Sequence, residues 1–257
     1  MLRKFADAKR SEVMELLGLD ARGEMPAPWT GLRPSFSGAL RAKGPGAVIA
    51  EYKRASPSKG VINLTLTAAD VARGYAAGGA ACISVLTEVD HFQGELAYLD
   101  QALPAGLPLL RKDFILHPLQ VARTAATPAS AVLLIARMVE TVELSELLNL
   151  CDHYDLEAVT EVFDAEDLAR AREAGARIIQ VNNRDLDSLT ISLDVSRGLI
   201  GARTPDELWI SASGINHGAQ IRELASLGFD AVLIGTFLME GGDPEGALKR
   251  LIKETDA

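Results

Sequence analysis

From Val48 onward the chain repeats one pattern: a short apolar or β-branched run, then an Ala/Leu/Glu/Arg-rich stretch with helical spacing. Eight such runs occur, at 47–53, 82–87, 108–112, 131–135, 157–162, 178–182, 208–213 and 231–236. Several are almost continuously apolar and do not alternate, as expected of parallel strands covered on both faces. The helical stretches share a frame. In 70–85, 167–181 and 221–234 an apolar-striped helix ends at Gly79, Gly175 or Gly228 and a strand follows. Glycine just past a helix takes the left-handed conformation that closes it. The strand ends, taken as Lys53, Thr87, Lys112, Ile135, Glu161, Asn182, Ser213 and Gly235, are spaced by 34, 25, 23, 26, 21, 31 and 22 residues. Each step has room for one strand, two short loops and a helix. Eight βα units in an unbroken series predict an α/β fold, a closed (β/α)8 TIM barrel. The rival, a doubly wound open sheet, would show a glycine-rich dinucleotide turn after its first strand, and none follows 47–53.

On this reading the 257 residues form a single domain, with 47–257 as the eight units and 1–46 as an N-terminal helical extension against the barrel. Residues 2–17 read as an amphipathic helix with Leu2, Phe5, Val13, Leu16 and Leu17 near one face, stopped by Gly18. Pro26, Pro28, Pro34 and Pro45 make 20–46 loop-like, with a short helical turn near Phe36–Arg41.

Charge and motif content narrow the function. Lys plus Arg number 26 against 35 Asp plus Glu, a net charge of −9. That balance disfavours a nucleic-acid partner but leaves an anionic substrate open, because the local field decides that. No apolar stretch approaches membrane-spanning length, and the N-terminus lacks the apolar core of a secretory signal. Cys82 and Cys151 form no CxxC pair and are expected to be buried hydrophobes in a reducing cytoplasm. His91, His117, His153 and His217 show no metal-ligand spacing, so no metal is expected.

In such a barrel the chemistry sits at the C-terminal ends of the strands. Those ends carry Glu51 and Lys53, Lys112, Glu161, and Asn182 followed by Arg184. A buried strand does not carry Lys or Glu unless the charge is matched. An internal ion-pair network that only stabilises would explain them. Convergence of four strands on one rim favours acid–base work instead. Ser213-Gly214-Ile215-Asn216 and Gly235-Thr236 close strands seven and eight, where such barrels commonly bind phosphate, although helix capping alone would explain Thr236. Lys53, Arg54, Lys59, Lys112 and Arg184 would line a positive rim.

The segment Glu51-Tyr52-Lys53-Arg54-Ala55-Ser56-Pro57-Ser58-Lys59-Gly60 resembles the E-x-K-x-x-S-P-S-x-G segment of the indole-3-glycerol phosphate synthase family. The resemblance continues through Ile83–Thr87, Phe92-Gln93-Gly94, Arg111-Lys112-Asp113-Phe114, Thr160-Glu161-Val162, Asn182-Asn183-Arg184-Asp185-Leu186, Ser213-Gly214-Ile215 and Ile234-Gly235. It implies a lyase of tryptophan biosynthesis that needs no cofactor. Its substrate is a small phosphorylated molecule, 1-(2-carboxyphenylamino)-1-deoxyribulose 5-phosphate. It also implies roles. Lys112 resembles the general acid at the carbonyl oxygen, Lys53 a second lysine and a candidate acid for dehydration, and Glu161 the general base. Glu51 would hold Lys53, and Asn182 would position a substrate hydroxyl. Ser56 and Arg184 fall among the substrate-binding positions. Pro57, Phe92 and Phe114 match an apolar wall around the anthranilate ring, and Ser213, Gly214, Gly235 and Thr236 match the phosphate site. Two departures stand out: Ala212 where the family usually has glutamate, and Gln180 where glycine is common. The first leads to an expectation of reduced turnover, or of a pocket retuned to a related anthranilate-derived or sugar-phosphate substrate. A non-catalytic phosphate-ligand binder is the third reading. A monomer is expected, too short for a fusion with a neighbouring enzyme. The loop 53–64 is expected to close over the substrate, with Gly60 permitting the movement.

Overall fold

The computed structural model describes residues 2–185 and 188–255; Leu186, at the end of one motif above, lies outside them. Eight strands are β1 (Ala47–Tyr52), β2 (Cys82–Leu86), β3 (Leu109–Lys112), β4 (Ala131–Ile135), β5 (Glu157–Val162), β6 (Ile178–Asn182), β7 (Leu208–Ala212) and β8 (Ala231–Ile234). All pair in parallel with their sequence neighbours. Pairing of β1 with β8, in the register Ala47↔Ala231 to Ala50↔Ile234, closes the barrel. The (β/α)8 expectation is borne out.

Both faces of the strands are covered, which is why the runs barely alternate. Val48, Ala50, Ile83, Val132, Ile179 and Trp209 pack outward against helices. Ile49, Cys82, Leu110, Leu133, Val159, Ile178, Ile210 and Leu233 fill the interior. Cys82 and Cys151 are free, buried thiols, and burial pushes both well above the ordinary thiol range, so they are inert filling. The glycines at 79, 175 and 228 close helices Ala68–Gly78, Ala165–Ala174 and Gly218–Leu227 with φ of 95°, 102° and 111°, as the repeat predicted.

Helix α1 (Leu2–Ala21) runs through Gly18 and does not stop there. A glycine inside a helix is only about 1 kcal/mol worse than alanine, which packing outweighs. The helix ends at Gly23, φ 68°, where the Gly23 N–H donates to Asp20 O and the Glu24 N–H to Leu19 O, the paired bonds of a Schellman cap. Helix α2 (Phe36–Lys43) stands where a short turn was expected and plugs the bottom of the barrel with Phe36 and Leu40. Glu157, first residue of β5, fixes it by accepting from the backbone N–H of Phe36 at 2.5 Å and of Ser37 at 3.0 Å. The mouth at the other end stays open for chemistry.

Candidate active site

Glu51, Lys53, Lys112, Glu161 and Asn182 come from β1, β3, β5 and β6 and their immediate ends. All five line two adjoining clefts at the barrel mouth, and Lys53, Lys112 and Asn182 line both. Every other residue matched to the family's substrate-binding positions lines one or both clefts as well. The first holds Ser56, Pro57, Phe92 and Phe114, the second Gly214, Gly235 and Thr236, and Arg184 and Ser213 border both.

Glu51 is fully buried and its Oε1 lies 2.7 Å from Lys53 Nζ, while its Oε2 lies 3.9 Å from Lys112 Nζ. Burial alone would raise the Glu51 carboxyl. The two ammonium groups, with hydrogen bonds from Lys53 and Ser84, outweigh it and hold the group below its ordinary value. The two lysines are therefore not equivalent. Lys53 is bonded tightly to its carboxylate; Lys112 is attracted but beyond hydrogen-bond reach. A purely stabilising ion network does not account for Glu161. It is buried, and among the described residues no cation lies within ion-pair distance of it. Its Oε2 accepts instead from Gln180 Nε2 at 2.5 Å. Asn182 Oδ1 accepts from the Arg184 N–H at 3.0 Å, which leaves its NH2 as the group that can donate into the cleft.

The second cleft is shaped by backbone. Ser213 has φ 73°, a left-handed conformation that a non-glycine residue holds only when its surroundings insist, at roughly 1–2 kcal/mol. Gly214 follows at φ 84°, and a Cβ there would meet Ile191 Cγ2 at 2.5 Å. Gly235 has an ordinary φ but is needed for space, because a Cβ on it would collide with Glu51 Oε1. Gly235→Ala is accordingly expected to push Glu51 aside, loosen Lys53 and lower turnover by about 10- to 100-fold while the fold survives, checked by steady-state kinetics beside a melting curve.

Three expectations need correction. The run 231–236 ends as a strand at Ile234, because Gly235 turns the chain and Thr236 opens the short helix Thr236–Glu240. Thr236 is inside that helix, not its cap, so capping does not explain it. Arg54 is absent from the rim. Its guanidinium turns back over the Tyr98 ring, 5.7 Å from the centroid, and donates to the Tyr98 hydroxyl. The loop after β1 has structure of its own: Ala55–Ser56 pairs with Gly60–Val61 as a small hairpin, and Lys59 reaches Glu240 at 3.0 Å across the second cleft.

Some site residues were not foreseen. Phe5 of α1 stacks on Phe114 with ring centroids 4.3 Å apart and lines the first cleft with Phe92. Its place in the apolar stripe signalled burial but not against what. Leu86, Leu133 and Ile135 complete the apolar wall. Among the described residues no group of three or more His, Cys, Asp or Glu is placed to hold a metal ion.

A family model described as indole-3-glycerol phosphate synthase matches residues 8–251. The chain belongs to the indole-3-glycerol phosphate synthase family. Relatives of that name are 43% identical in Desulfosudis oleivorans, over 83% of this chain and 81% of the relative, and 44% identical in Roseiflexus castenholzii, over 84% of each. A third, from Polaromonas naphthalenivorans, is 37% identical over 99% of both chains. Solved structures of mandelate oxidase (TM-score 0.62, 17% identity, 82% of this chain and 73% of that one) and of thiamine phosphate pyrophosphorylase from Pyrococcus furiosus (TM-score 0.57, 14% identity, 82% and 95%) share the barrel. At those identities they speak to the fold alone.

Proposed function

We propose that the protein is a carbon–carbon lyase of tryptophan biosynthesis that closes the indole ring of 1-(2-carboxyphenylamino)-1-deoxyribulose 5-phosphate, releasing carbon dioxide and water. One observation carries the assignment beyond family membership. Two lysines and two carboxylates from β1, β3 and β5 and their ends line the aromatic and the glycine-walled clefts, and both lysines line both.

The aryl ring lies against Phe92, Phe114 and Phe5, and the phosphate sits by Ser213, Gly214, Gly235 and Thr236. Four cations (Lys53, Lys59, Lys112, Arg184) against four carboxylates (Glu51, Asp113, Glu161, Glu240) leave the two clefts formally neutral on a chain of −9, so an anion meets less repulsion there than over the rest of the surface. The ring carbon bearing the carboxylate attacks the ribulose carbonyl. Lys112 donates its proton to the oxygen, so no alkoxide builds up in a water-poor site. Loss of carbon dioxide returns the electron pair to the ring and restores aromaticity. In the dehydration the new hydroxyl leaves as water with a proton from Lys53, while Glu161 takes a proton from the adjacent ring CH2, so that the carbon–carbon double bond of the indole forms and its N–H is kept. Asn182 holds a substrate hydroxyl, with Ser56 and Arg184 as further contacts. The hairpin at 55–61 closes over the bound substrate. We take the active form to be a cytoplasmic monomer with no metal, organic cofactor, nucleic-acid or membrane partner; among the described residues no helix is long and apolar enough to cross a membrane. Purified protein given the substrate should develop indole fluorescence, and no signal above a Lys112→Ala control would sink the assignment.

Ala212 supports a second reading, a pocket retuned to a related substrate. Its side chain is buried on the interior face of β7, between Asn182 and Leu233 in register, and lines the second cleft. A glutamate there would set a further carboxylate beside the lysines. Ala212→Glu is expected to raise turnover several-fold on the unmodified substrate; no gain favours the retuned pocket.

A further inference from the structure

Below the mouth, on the interior face of β6, lies a polar side chain the proposed chemistry has not used. Gln180 is fully buried. Residues two apart on a strand share a face, so it stands between Ile178 below and Asn182 above. It is directly opposite Glu161 in register, and its other register neighbour is Ile210. Its Nε2 donates to Glu161 Oε2 at 2.5 Å. Its own Oε1 is buried without any hydrogen-bond partner.

This is a poor arrangement for simple filling. The same interior face carries Val159, Ile178 and Ile210, among which an aliphatic side chain would pack without an orphaned acceptor. Buried amides are normally satisfied at both ends, and a half-satisfied one calls for a reason. The reason lies in the group it touches. Glu161 lines the aromatic cleft. A base at that position has to present one defined carboxylate oxygen to the substrate, and rotation of its terminal bond would scatter the two oxygens. Gln180 occupies Oε2 and leaves Oε1 as the oxygen for the cleft. The carboxylate also changes character in each turnover, accepting hydrogen bonds when ionised and donating one when protonated. An amide alone among uncharged side chains of this length offers both an NH2 and a carbonyl oxygen. The unpartnered Oε1 is the acceptor that the protonated form of Glu161 needs, reached by rotation of the amide.

We infer that Gln180 is a positioning residue that aims the Glu161 carboxylate into the cleft and serves it in both protonation states. The inference rests on the reading of Glu161 as the general base. Gln180 acts through Glu161 and does not touch substrate.

Gln180→Met and Gln180→Leu keep the volume and remove the amide. Both are expected to fold with a melting temperature equal to or above that of the unaltered protein, since an orphaned polar atom is gone. Both should lose about tenfold in kcat with KM changed by less than about twofold, the pattern of an interaction made in the chemical step. A filler residue predicts the opposite coupling, with activity following stability. Unchanged kcat in the folded variants would overturn the inference, as would failure of both variants to fold. No turnover by the unaltered protein would sink the proposed function and this inference with it, whereas turnover equal to the variants' sinks the inference alone.

Discussion

Replacing Lys112 with alanine is expected to lower kcat by about 10³-fold, within the range that a positioned general acid contributes, while KM changes little and the fold is kept. The side chain is partly open to the cleft and its Nζ lies 3.9 Å from Glu51 Oε2, beyond hydrogen-bond reach, so it is not tied up. It can point its proton at a carbonyl oxygen. Lys53 stands at 2.7 Å from the other oxygen of the same carboxylate. To deliver a proton early in the reaction it would first have to give up that bond. Lys53→Ala is therefore the milder change in the first, carbon–carbon bond-forming step, and its loss should slow the release of water. Single-turnover measurements separate the two, because carbon dioxide appears before the indole chromophore is complete. If Lys53→Ala delays carbon dioxide more than Lys112→Ala does, the two roles are exchanged.

Several strands of the barrel were legible because their boundaries are set locally. The runs at 131–135, 157–162 and 178–182 coincide with β4, β5 and β6. In each, turn or cap residues stand on both sides of an apolar run, and the barrel buries both faces, so periodicity and burial say the same thing. The helix-closing glycines at 79, 175 and 228 were readable for the same reason. Gly18 misled because a lone glycine is a weak stop unless the residues around it complete the cap, as they do at Gly23. Partner choice was not legible at all. Arg54 is adjacent to Lys53 in sequence yet turns to Tyr98, 44 residues away, and nothing local distinguishes it from a rim cation. The site residues were placed by motif resemblance, but the bond from Gln180 to Glu161 depends on the register of two strands. No single segment encodes it.

The second large effect concerns a cluster that motif reading passed over. Asp113, next to Lys112, is buried and forms ion pairs with Lys9 of α1 at 2.5 Å and Arg111 at 2.9 Å, and it accepts from Thr87 Oγ1 at 2.5 Å. Arg111 also reaches Glu12 of α1 at 3.1 Å. The network pins the N-terminal helix to the end of β3 and so holds Phe5 against Phe114. Burial alone would raise the Asp113 carboxyl. Arg111 and Lys9, with the hydrogen bonds from Lys9 and Thr87, outweigh it and hold the group below its ordinary value. A depressed folded value means that stability is fully present above the unfolded range, near pH 4, and is lost as pH falls through the folded value. Asp113→Ala removes that acid-sensitive share and leaves two buried cations with Glu12 as their shared remaining carboxylate, a change of about 3 kcal/mol measured by denaturant unfolding at pH 7. Lys9→Met should be milder, because Asp113 keeps Arg111, and the double variant should lose less than the sum of the singles, as expected for groups in contact. Loss of the pin also frees Phe5, so Asp113→Ala should raise KM for the substrate more than it lowers kcat, provided Lys112 stays in place on β3. An Asp113→Ala variant as stable as the unaltered protein would show that α1 is held by its apolar stripe alone, with the buried charges merely tolerated.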